Sequence, residues 1–279
     1  MKDFKGKVAV ITGAGRGIGR GIALRCAKEG MKIVLAGIGM ESLTKTETDL
    51  KAMGAETLIV QTDVSLLEDI ENLVNKSYEA FGEVHLLVNN AGVIVLGDGS
   101  VLGCNMDDWD WVMDVNFYGV LHSVRAFIPR MMEQDSECHV VNVSSSAGVV
   151  TAWGSYGVSK HAVVALTESL YSELGESKVN VSVYCPDRVH TEIDTIERSR
   201  PERFKNEPPS KPITEEQKAF FREKTETGLS IDESANFVFD GLQANRLYIG
   251  PKAFQHVKED FLEQILNRAE NIINERNPE

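Results

Sequence analysis

The sequence has few cysteines, no long hydrophobic run and a shortage of basic residues, and each of these excludes a class of protein. Its four cysteines, at positions 26, 104, 138 and 185, lack the spacing of metal or redox motifs. No hydrophobic run is long enough for a membrane span, and the first residues lack the apolar core of a signal peptide. We therefore expect a cytoplasmic protein with reduced cysteines, no metal site and no membrane partner.

Acidic residues outnumber basic ones. There are 42 Asp and Glu residues against 29 Lys and Arg residues, which gives a formal net charge of −13. This charge argues against nucleic acids and anionic membranes as partners. The length of 279 residues and the hydrophobic content of 42% fit one large α/β domain or two small ones. No linker or internal repeat divides the sequence, so we expect a single domain over residues 1–279.

Strand-like and helix-like segments alternate along the chain. The predicted strands are Val8–Ile11, Lys32–Ala36, Thr57–Thr62, Leu86–Asn89, Val140–Ser144, Val179–Cys185 and Leu247–Ile249. The predicted helices lie near 18–29, 41–53, 67–81, 107–132, 156–175 and 232–244. Continuous apolar strands between helices indicate a parallel sheet that is covered on both faces. The sequence therefore predicts a doubly wound α/β fold with a seven-stranded parallel sheet.

A glycine-rich loop, TGAGRGIG, follows the first predicted strand and leads into a helical pattern. Gly13 permits a tight turn, Gly17 lets the backbone approach a pyrophosphate, and Gly19 lets the helix pack close to the strand. The phosphates of a ligand would lie at the helix N-terminus, where unpaired N–H groups and the helix dipole favour anions. This order of elements predicts a dinucleotide-binding site.

Tyr156 and Lys160 are four residues apart in a predicted helix, so a phenol and an ammonium group share one face. A free tyrosine has a pKa near ~10, and a fixed positive charge nearby lowers that pKa. Such a tyrosine would act as an acid or base at neutral pH. An isolated pair of this kind is more often an ordinary helix-start tyrosine with a solvated lysine, so the interpretation depends on other motifs.

Two segments depart from the regular alternation. Residues 192–214 are rich in charge and proline and follow a central strand, at the edge where doubly wound folds bind ligands. We predict a substrate lid there, with a disordered surface loop as the alternative. The sequence of residues 254–275 predicts a polar helix with an apolar stripe. This stripe would pack on the protein's own sheet or on a neighbouring subunit.

Further motifs stand at the ends of predicted strands. Asp63 and Val64 follow the third strand, the sequence NNAG ends the fourth, Asn116 lies in the long helix, and NVSSSAG ends the fifth. Together with the glycine loop and the Tyr156/Lys160 pair, they resemble the short-chain dehydrogenase/reductase family, in its single-domain alcohol/ketone oxidoreductase branch. The resemblance covers about residues 6–191 and is weaker to about 250. It implies a Rossmann-like fold and hydride transfer between NAD(P)(H) and an alcohol or ketone.

The resemblance also implies catalytic roles. Tyr156 resembles the general acid/base that exchanges a proton with the substrate oxygen. Lys160 resembles the residue that lowers the tyrosine pKa and holds the nicotinamide ribose. Ser145 resembles the residue that hydrogen-bonds the reacting oxygen, and Asn116 the one that holds a water linking Lys160 to solvent.

The same resemblance implies a set of cofactor-binding residues along the carboxyl edge of the sheet. These are Gly13, Gly15, Arg16, Gly17, Ile18, Gly19, Gly37, Asp63, Val64, Asn90, Ala91, Gly92, Tyr156, Lys160, Pro186, Val189 and Thr191. Asp63 and Val64 resemble adenine contacts, and Val189 and Thr191 resemble contacts of the nicotinamide half.

Three positions depart from the family pattern. Asp187 stands where the family usually has glycine, which leaves the substrate orientation open. Ser145 is closer to Tyr156 in sequence than the family spacing, so Ser144 or Ser146 remains a possible substitute. Gly37 stands where an NAD-preferring member would have an acid to accept from the ribose 2′-hydroxyl.

Cofactor preference therefore depends on Arg16, which is next to Gly17. An arginine there can pair with a 2′-phosphate, and the absence of an acid at Gly37 removes repulsion from that phosphate. We expect NADP(H) to be favoured over NAD(H). The alternative is that Arg16 is only a solvent-exposed loop residue.

The substrate class follows from apolar residues near the predicted site. The expected pocket walls are Val93, Ile94, Val95, Leu96, Val149, Val150, Trp153 and the lid, although ordinary core packing would explain about half of them. They indicate a hydrophobic secondary alcohol or ketone. The helices near 107–132 and 156–175 carry apolar residues on more than one face, which predicts a homodimer or homotetramer.

Two other function classes share some of these features. A catalytically silent dinucleotide-sensing protein would keep the fold and the glycine loop but would not need Tyr156, Lys160, Ser145 and Asn116 together. A nucleotide-sugar epimerase or dehydratase shares the tyrosine and the lysine, but resembles a different glycine loop and a larger C-terminal substrate domain.

Overall fold

A computed structural model describes residues 1–95, 101–150, 154–193, 200–205, 214–250 and 258–273. The strands are β1 (Val8–Thr12), β2 (Lys32–Gly37), β3 (Thr57–Gln61), β4 (Leu86–Asn89), β5 (Cys138–Val143), β6 (Val179–Tyr184) and β7 (Tyr248–Ile249). The helices are α1 (Gly17–Lys28), α2 (Met40–Ala52), α3 (Leu67–Phe81), α4 (Met106–Met113), α5 (Gly119–Met132), α6 (Gly154–Leu174), α7 (Glu215–Glu226), α8 (Ile231–Gln243) and α9 (Lys258–Ile273).

The strands form one seven-stranded sheet in the order β3-β2-β1-β4-β5-β6-β7. Every neighbouring pair runs parallel. The strand order reverses between β1 and β4, and ligands of doubly wound folds bind at the carboxyl ends of the strands at such a point. The predicted doubly wound, Rossmann-like α/β fold is confirmed.

The strands are buried because helices cover both faces of the sheet. Successive side chains of a strand point to opposite faces, and in β1 the residues Ala9 and Ile11 join one apolar core while Val8 and Val10 join the other. The first core is completed by apolar residues of α1, α2 and α8, and the second by those of α3, α5 and α6. Because both faces of the sheet are buried, the strands are continuous apolar runs in the sequence.

The predicted elements differ from the observed ones in two places. The long helix predicted near 107–132 is interrupted by a π-helical turn, Asp114–Tyr118, between α4 and α5. Helix α7 was not predicted, because its sequence is mostly charged and has no apolar periodicity. Helix α9 occupies Lys258–Ile273 of the helix predicted at 254–275, whose remaining residues lie outside the described ranges.

The described residues contain neither a helix that could span a membrane nor a metal-binding cluster. None of the helices in the described ranges is both long and apolar enough to cross a bilayer. Within the same ranges, no cluster of three or more His, Cys, Asp or Glu side chains could hold a metal ion.

Candidate active site

The glycine loop and the segment after β4 are joined at the carboxyl edge of the sheet. The side-chain amide nitrogen of Asn90, Nδ2, donates to the backbone carbonyls of Thr12 (2.9 Å) and Gly13 (3.3 Å). Gly13 has a positive φ of 65°. A Cβ on Gly19 would lie 2.4 Å from the carbonyl oxygen of Gly13 and 2.4 Å from Nδ2 of Asn90. Only glycine therefore fits at position 19, as the close packing of α1 on β1 requires.

Thr12 is a site residue to which the sequence analysis gave no role. Its hydroxyl accepts from the backbone N–H groups of Asn90 (3.0 Å) and Ala91 (3.1 Å). It also lies 3.4 Å from the carbonyl oxygen of Val88, to which it donates. The signal in the sequence is a single hydroxyl at the end of an apolar strand. Thr12 thus fixes the two loops that flank the point where the strand order reverses.

The N-terminus of α1 is suited to an anion. Its N-cap residue, Arg16, makes no side-chain capping bond within the described part of the chain, and the first turn of α1 contains no acid. In contrast, Ser230 and Glu233 form a capping box at α8. Unpaired N–H groups at a helix N-terminus attract phosphate. The residues present therefore fit the pyrophosphate of a dinucleotide.

Thr191 lies beside this helix end. A Cβ on Gly17, whose φ is 50°, would be 3.0 Å from Cγ2 of Thr191. Arg16 contacts Glu192, with Nη1 3.5 Å from Oε2, and both side chains are exposed. Gly15 packs closely on Ser42, whose hydroxyl would be 2.4 Å from an added Cβ. The side chains of Arg16, Ser42 and Glu192 therefore surround the outer end of the loop.

Lys160 is buried, with 4% of its surface exposed, and its ammonium group donates to the carbonyl of Val143 (3.1 Å). The Nζ atom is 5.7 Å from the ring centroid of Tyr156. Removal from water disfavours the charged form and lowers the pKa of Lys160 to about 8. The ammonium group nevertheless remains mostly protonated at neutral pH.

The pKa of Tyr156 does not shift in the predicted direction. Burial of the phenol raises its pKa, and the Ser145 hydroxyl partly offsets this effect. The ammonium group of Lys160, which was predicted to lower this pKa, donates to the carbonyl of Val143. The structure nevertheless brings the phenol, the ammonium group and one serine hydroxyl together.

The three consecutive serines after β5 have different partners. Ser144 donates to the carbonyl of Lys160 (2.8 Å), and Ser146 donates to Oδ1 of Asp187 (3.1 Å). Ser145 accepts from the N–H of Ala147 (3.2 Å), and its hydroxyl is the one that interacts with Tyr156. Of the three hydroxyls, that of Ser145 therefore fits the predicted role best, and its assignment remains a prediction.

Asn116 lies in the π-helical turn, a feature that is frequent at functional sites. Its oxygen accepts from the N–H of Val93 (2.8 Å), and its nitrogen donates to the carbonyl of Val93 (3.0 Å) and to the Ser159 hydroxyl (3.0 Å). Ser159, which the sequence analysis did not select, donates in turn to the carbonyl of Tyr156 (2.7 Å). Asn116 thus connects the loop after β4 to the start of α6.

Gly92 is where Lys160 and Asn116 converge. A Cβ at this glycine would lie 3.3 Å from Nζ of Lys160 and 3.4 Å from Oδ1 of Asn116. The loop after β4 is therefore in contact with both side chains.

The segment after β6 returns to the same edge. Pro186 accepts at its carbonyl from the N–H of Ser146 (2.8 Å), and Val189 pairs with Leu229 in an isolated β-bridge. Asp187, the departure from the family pattern, is held by Ser146 beside Ser145. The structure therefore joins this carboxylate to the serine that follows Ser145 in the sequence.

Among the predicted pocket walls, Val93, Ile94 and Val95 are buried, and Val149 and Val150 are partly exposed. Leu96, Trp153 and most of the predicted lid lie outside the described residues.

At the other end of the site, Val64 packs against Gly119, where a Cβ would be 2.7 Å from Cγ2 of Val64. Ile18 packs on the core beneath α1.

Comparison with known proteins identifies the family. The family model for short chain dehydrogenases matches residues 7–202. The chain belongs to the short-chain dehydrogenase/reductase family. A relative, the CLA biosynthesis dehydrogenase/reductase of Lactiplantibacillus plantarum, is 34% identical over 258 residues, which cover 89% of this chain and 89% of the relative.

Solved structures of this family agree with the fold. A short chain dehydrogenase/reductase from Burkholderia phymatum in complex with NAD is 41% identical, with a TM-score of 0.89, and the match covers 100% of this chain and 98% of the other. An actinorhodin polyketide ketoreductase with NADPH is 28% identical, with a TM-score of 0.73 and coverage of 90% and 97%. Similar chains thus occur with either nicotinamide cofactor, and this protein is an oxidoreductase of the same family.

Proposed function

We propose that this protein transfers a hydride between NAD(P)(H) and a hydrophobic secondary alcohol or ketone, with Tyr156 as the general acid/base. The observation that carries the proposal is the convergence of the Tyr156 phenol, the Ser145 hydroxyl and the buried Lys160 ammonium group. A bound nicotinamide would supply or accept the hydride. The glycine loop, the open N-terminus of α1 and Thr191 would hold its pyrophosphate.

The residues of the chain would then manage the proton and the developing charge. Tyr156 exchanges a proton with the substrate oxygen, and Ser145 donates a hydrogen bond to that oxygen as negative charge develops. Lys160 supplies a positive charge in a site of low polarity, where electrostatic interactions are stronger than in water. Asn116 and Ser159 keep the start of α6 in place relative to the loop after β4.

The test of this function is turnover of a panel of aliphatic, cyclic and aromatic secondary alcohols and ketones, with either cofactor, followed at the nicotinamide absorbance. Oxidation or reduction of at least one apolar member with net cofactor conversion would support the proposal. Tight cofactor binding without turnover would favour a dinucleotide sensor. Inversion of a substrate without net cofactor change would favour an epimerase.

For cofactor preference we propose NADP(H). Arg16 is exposed at the outer end of the glycine loop, and its described contact with Glu192, at 3.5 Å, is long for a charge-assisted bond. No acid stands at Gly37, where a carboxylate would repel a 2′-phosphate. An added Cβ at this position would be 3.7 Å from Leu43, an ordinary contact, so an acid can be introduced there without a clash.

Replacing Arg16 with alanine should weaken NADP(H) binding about tenfold and leave NAD(H) binding unchanged, because NAD(H) has no 2′-phosphate to lose. Replacing Gly37 with aspartate should shift the preference further toward NAD(H). The measurement is the dissociation constant of each reduced cofactor by fluorescence titration. Arg20→Ala is the matched control, since Arg20 is on the same helix but pairs with Asp49. Equal or tighter binding of NADH by the unchanged protein would contradict the proposal.

We also propose that two copies or four associate through the outer faces of α5 and α6. Three large side chains on α6 or just before α5 remain exposed, Tyr118 by 43%, Val158 by 45% and Tyr171 by 56%. Burial of such apolar surface favours association. Light scattering at micromolar concentration should give the mass of a dimer or tetramer. A monomer mass under these conditions would reject this mode of assembly.

A further inference from the structure

Residues 200–205 are fastened to α4 and to the adjoining apolar core. The guanidinium of Arg200 pairs with the fully buried carboxylate of Asp108 and lies 4.5 Å from the ring centroid of Trp111. Phe204, 7% exposed, packs in an apolar cluster that includes Val64. A buried ion pair and a buried aromatic ring fix the segment at both ends, so the three residues between them are held in defined positions.

Arg203 is one of the residues between Arg200 and Phe204. One of its terminal nitrogens, Nη2, donates to Oδ2 of Asp63 (2.7 Å) and to the hydroxyl of Ser65 (2.6 Å). The other oxygen of Asp63, Oδ1, accepts from the N–H (3.1 Å) and the hydroxyl (2.6 Å) of Ser65. The carboxylate of Asp63 is therefore oriented by two residues, one of which lies 140 positions away in the sequence.

We infer that Arg203 is a cofactor-positioning residue, which holds the Asp63 carboxylate in place to accept from the amino group of adenine. The inference rests on the proposed function and on the role that the family resemblance implies for Asp63, a contact with adenine. Oδ1 already accepts two hydrogen bonds from Ser65, so Oδ2, which has two lone pairs, is shared between Arg203 and the ligand.

Arg203 should act on the adenine half of either cofactor. The 2′-phosphate and the nicotinamide are not among the groups that Asp63 would bind, so NADH, NADPH and ADP-ribose should respond to the same extent. This distinguishes Arg203 from Arg16, whose effect should depend on the 2′-phosphate. It also assigns to the segment after β6 a role at the adenine end, in addition to any role of a substrate lid.

The experiment measures the dissociation constants of NADH, NADPH and ADP-ribose for Arg203→Ala and Arg203→Lys. We expect Arg203→Ala to weaken all three by a similar factor, about three- to tenfold for a partly exposed ion pair. Arg203→Lys should recover part of the loss, since one ammonium nitrogen can still donate to both partners. Lys205→Ala is the matched control, because it removes the same charge from the same segment but from a residue that pairs with Glu202.

A double-mutant cycle separates this inference from the proposed function. Asp63→Asn alone should weaken binding, and adding Arg203→Ala to it should produce no further loss. If Asp63→Asn weakens binding but Arg203→Ala does not, or if Arg203→Ala strengthens it, the inference about Arg203 is overturned. If Asp63→Asn has no effect on any of the three ligands, the adenine site of the proposed function is itself wrong. Equal melting temperatures of the variants exclude loss of fold as the cause.

Discussion

Replacing Tyr156 with phenylalanine should lower kcat by about 10²–10⁴-fold and leave the dissociation constant of the dinucleotide nearly unchanged. The substitution keeps the ring that packs beside Lys160 and removes only the hydroxyl that interacts with Ser145. The substrate oxygen would then keep the hydrogen bond from Ser145 but lose the group that exchanges a proton with it. The measurement is steady-state turnover of the best substrate together with a cofactor titration of the same preparation.

Tyr171 provides the matched control for this change. It lies on the same helix, α6, but is exposed and remote in sequence from the serine and lysine of the site. Tyr171→Phe should therefore retain the full rate. A Tyr156→Phe protein that keeps more than roughly a tenth of the rate would remove Tyr156 from the role of acid/base, because general acid/base catalysis has a larger effect than that.

Replacing Ser145 with alanine should lower kcat by about 10²–10³-fold, which is the usual loss when one donor to a developing oxyanion is removed. The effect should fall on kcat rather than on cofactor binding, since the hydroxyl would act on the reacting oxygen. Kinetics with saturating cofactor and varied substrate measure both quantities.

The neighbouring serines are the controls, and they have different expected results. Ser146→Ala should change the KM of the substrate more than kcat, because Ser146 orients the Asp187 carboxylate. Ser144→Ala should lower the melting temperature, because a buried bond to the carbonyl of Lys160 is lost. A larger loss of kcat for either of these than for Ser145→Ala would assign the catalytic hydroxyl to that serine instead.

The sequence was sufficient to predict the sheet and the edge at which the site lies. Apolar strands and amphipathic helices can be recognised from short segments of sequence, because the spacing of their apolar residues repeats over a few positions. The glycine loop is also a local feature, because the requirement for a positive φ at Gly13 and Gly17 is a property of single residues. The family followed from motifs that occupy the ends of the strands in a fixed order.

Sequence alone did not reveal the partners that depend on distant residues. The selection of Ser145 among three serines depends on the orientation of β5 relative to Asp187 and to α6. The direction of the pKa shift of Tyr156 depends on how deeply the phenol is buried and on where the Lys160 ammonium group donates. Neither quantity has a sequence signature, because burial and hydrogen bonding are set by the packing of whole elements.

The sequence by itself thus determined the fold class and the family, and it predicted the dinucleotide site and the Tyr156/Lys160 pair, because each is encoded by spacing within one or two neighbouring elements. Only the tertiary structure decided that Asn116 bonds to Val93 and Ser159, and that Arg203 reaches Asp63 from the segment after β6. The physical reason is that the strand order of the sheet brings the carboxyl ends of distant strands to one edge. Contacts at this edge join residues that are far apart in the sequence, so no local sequence pattern indicates them.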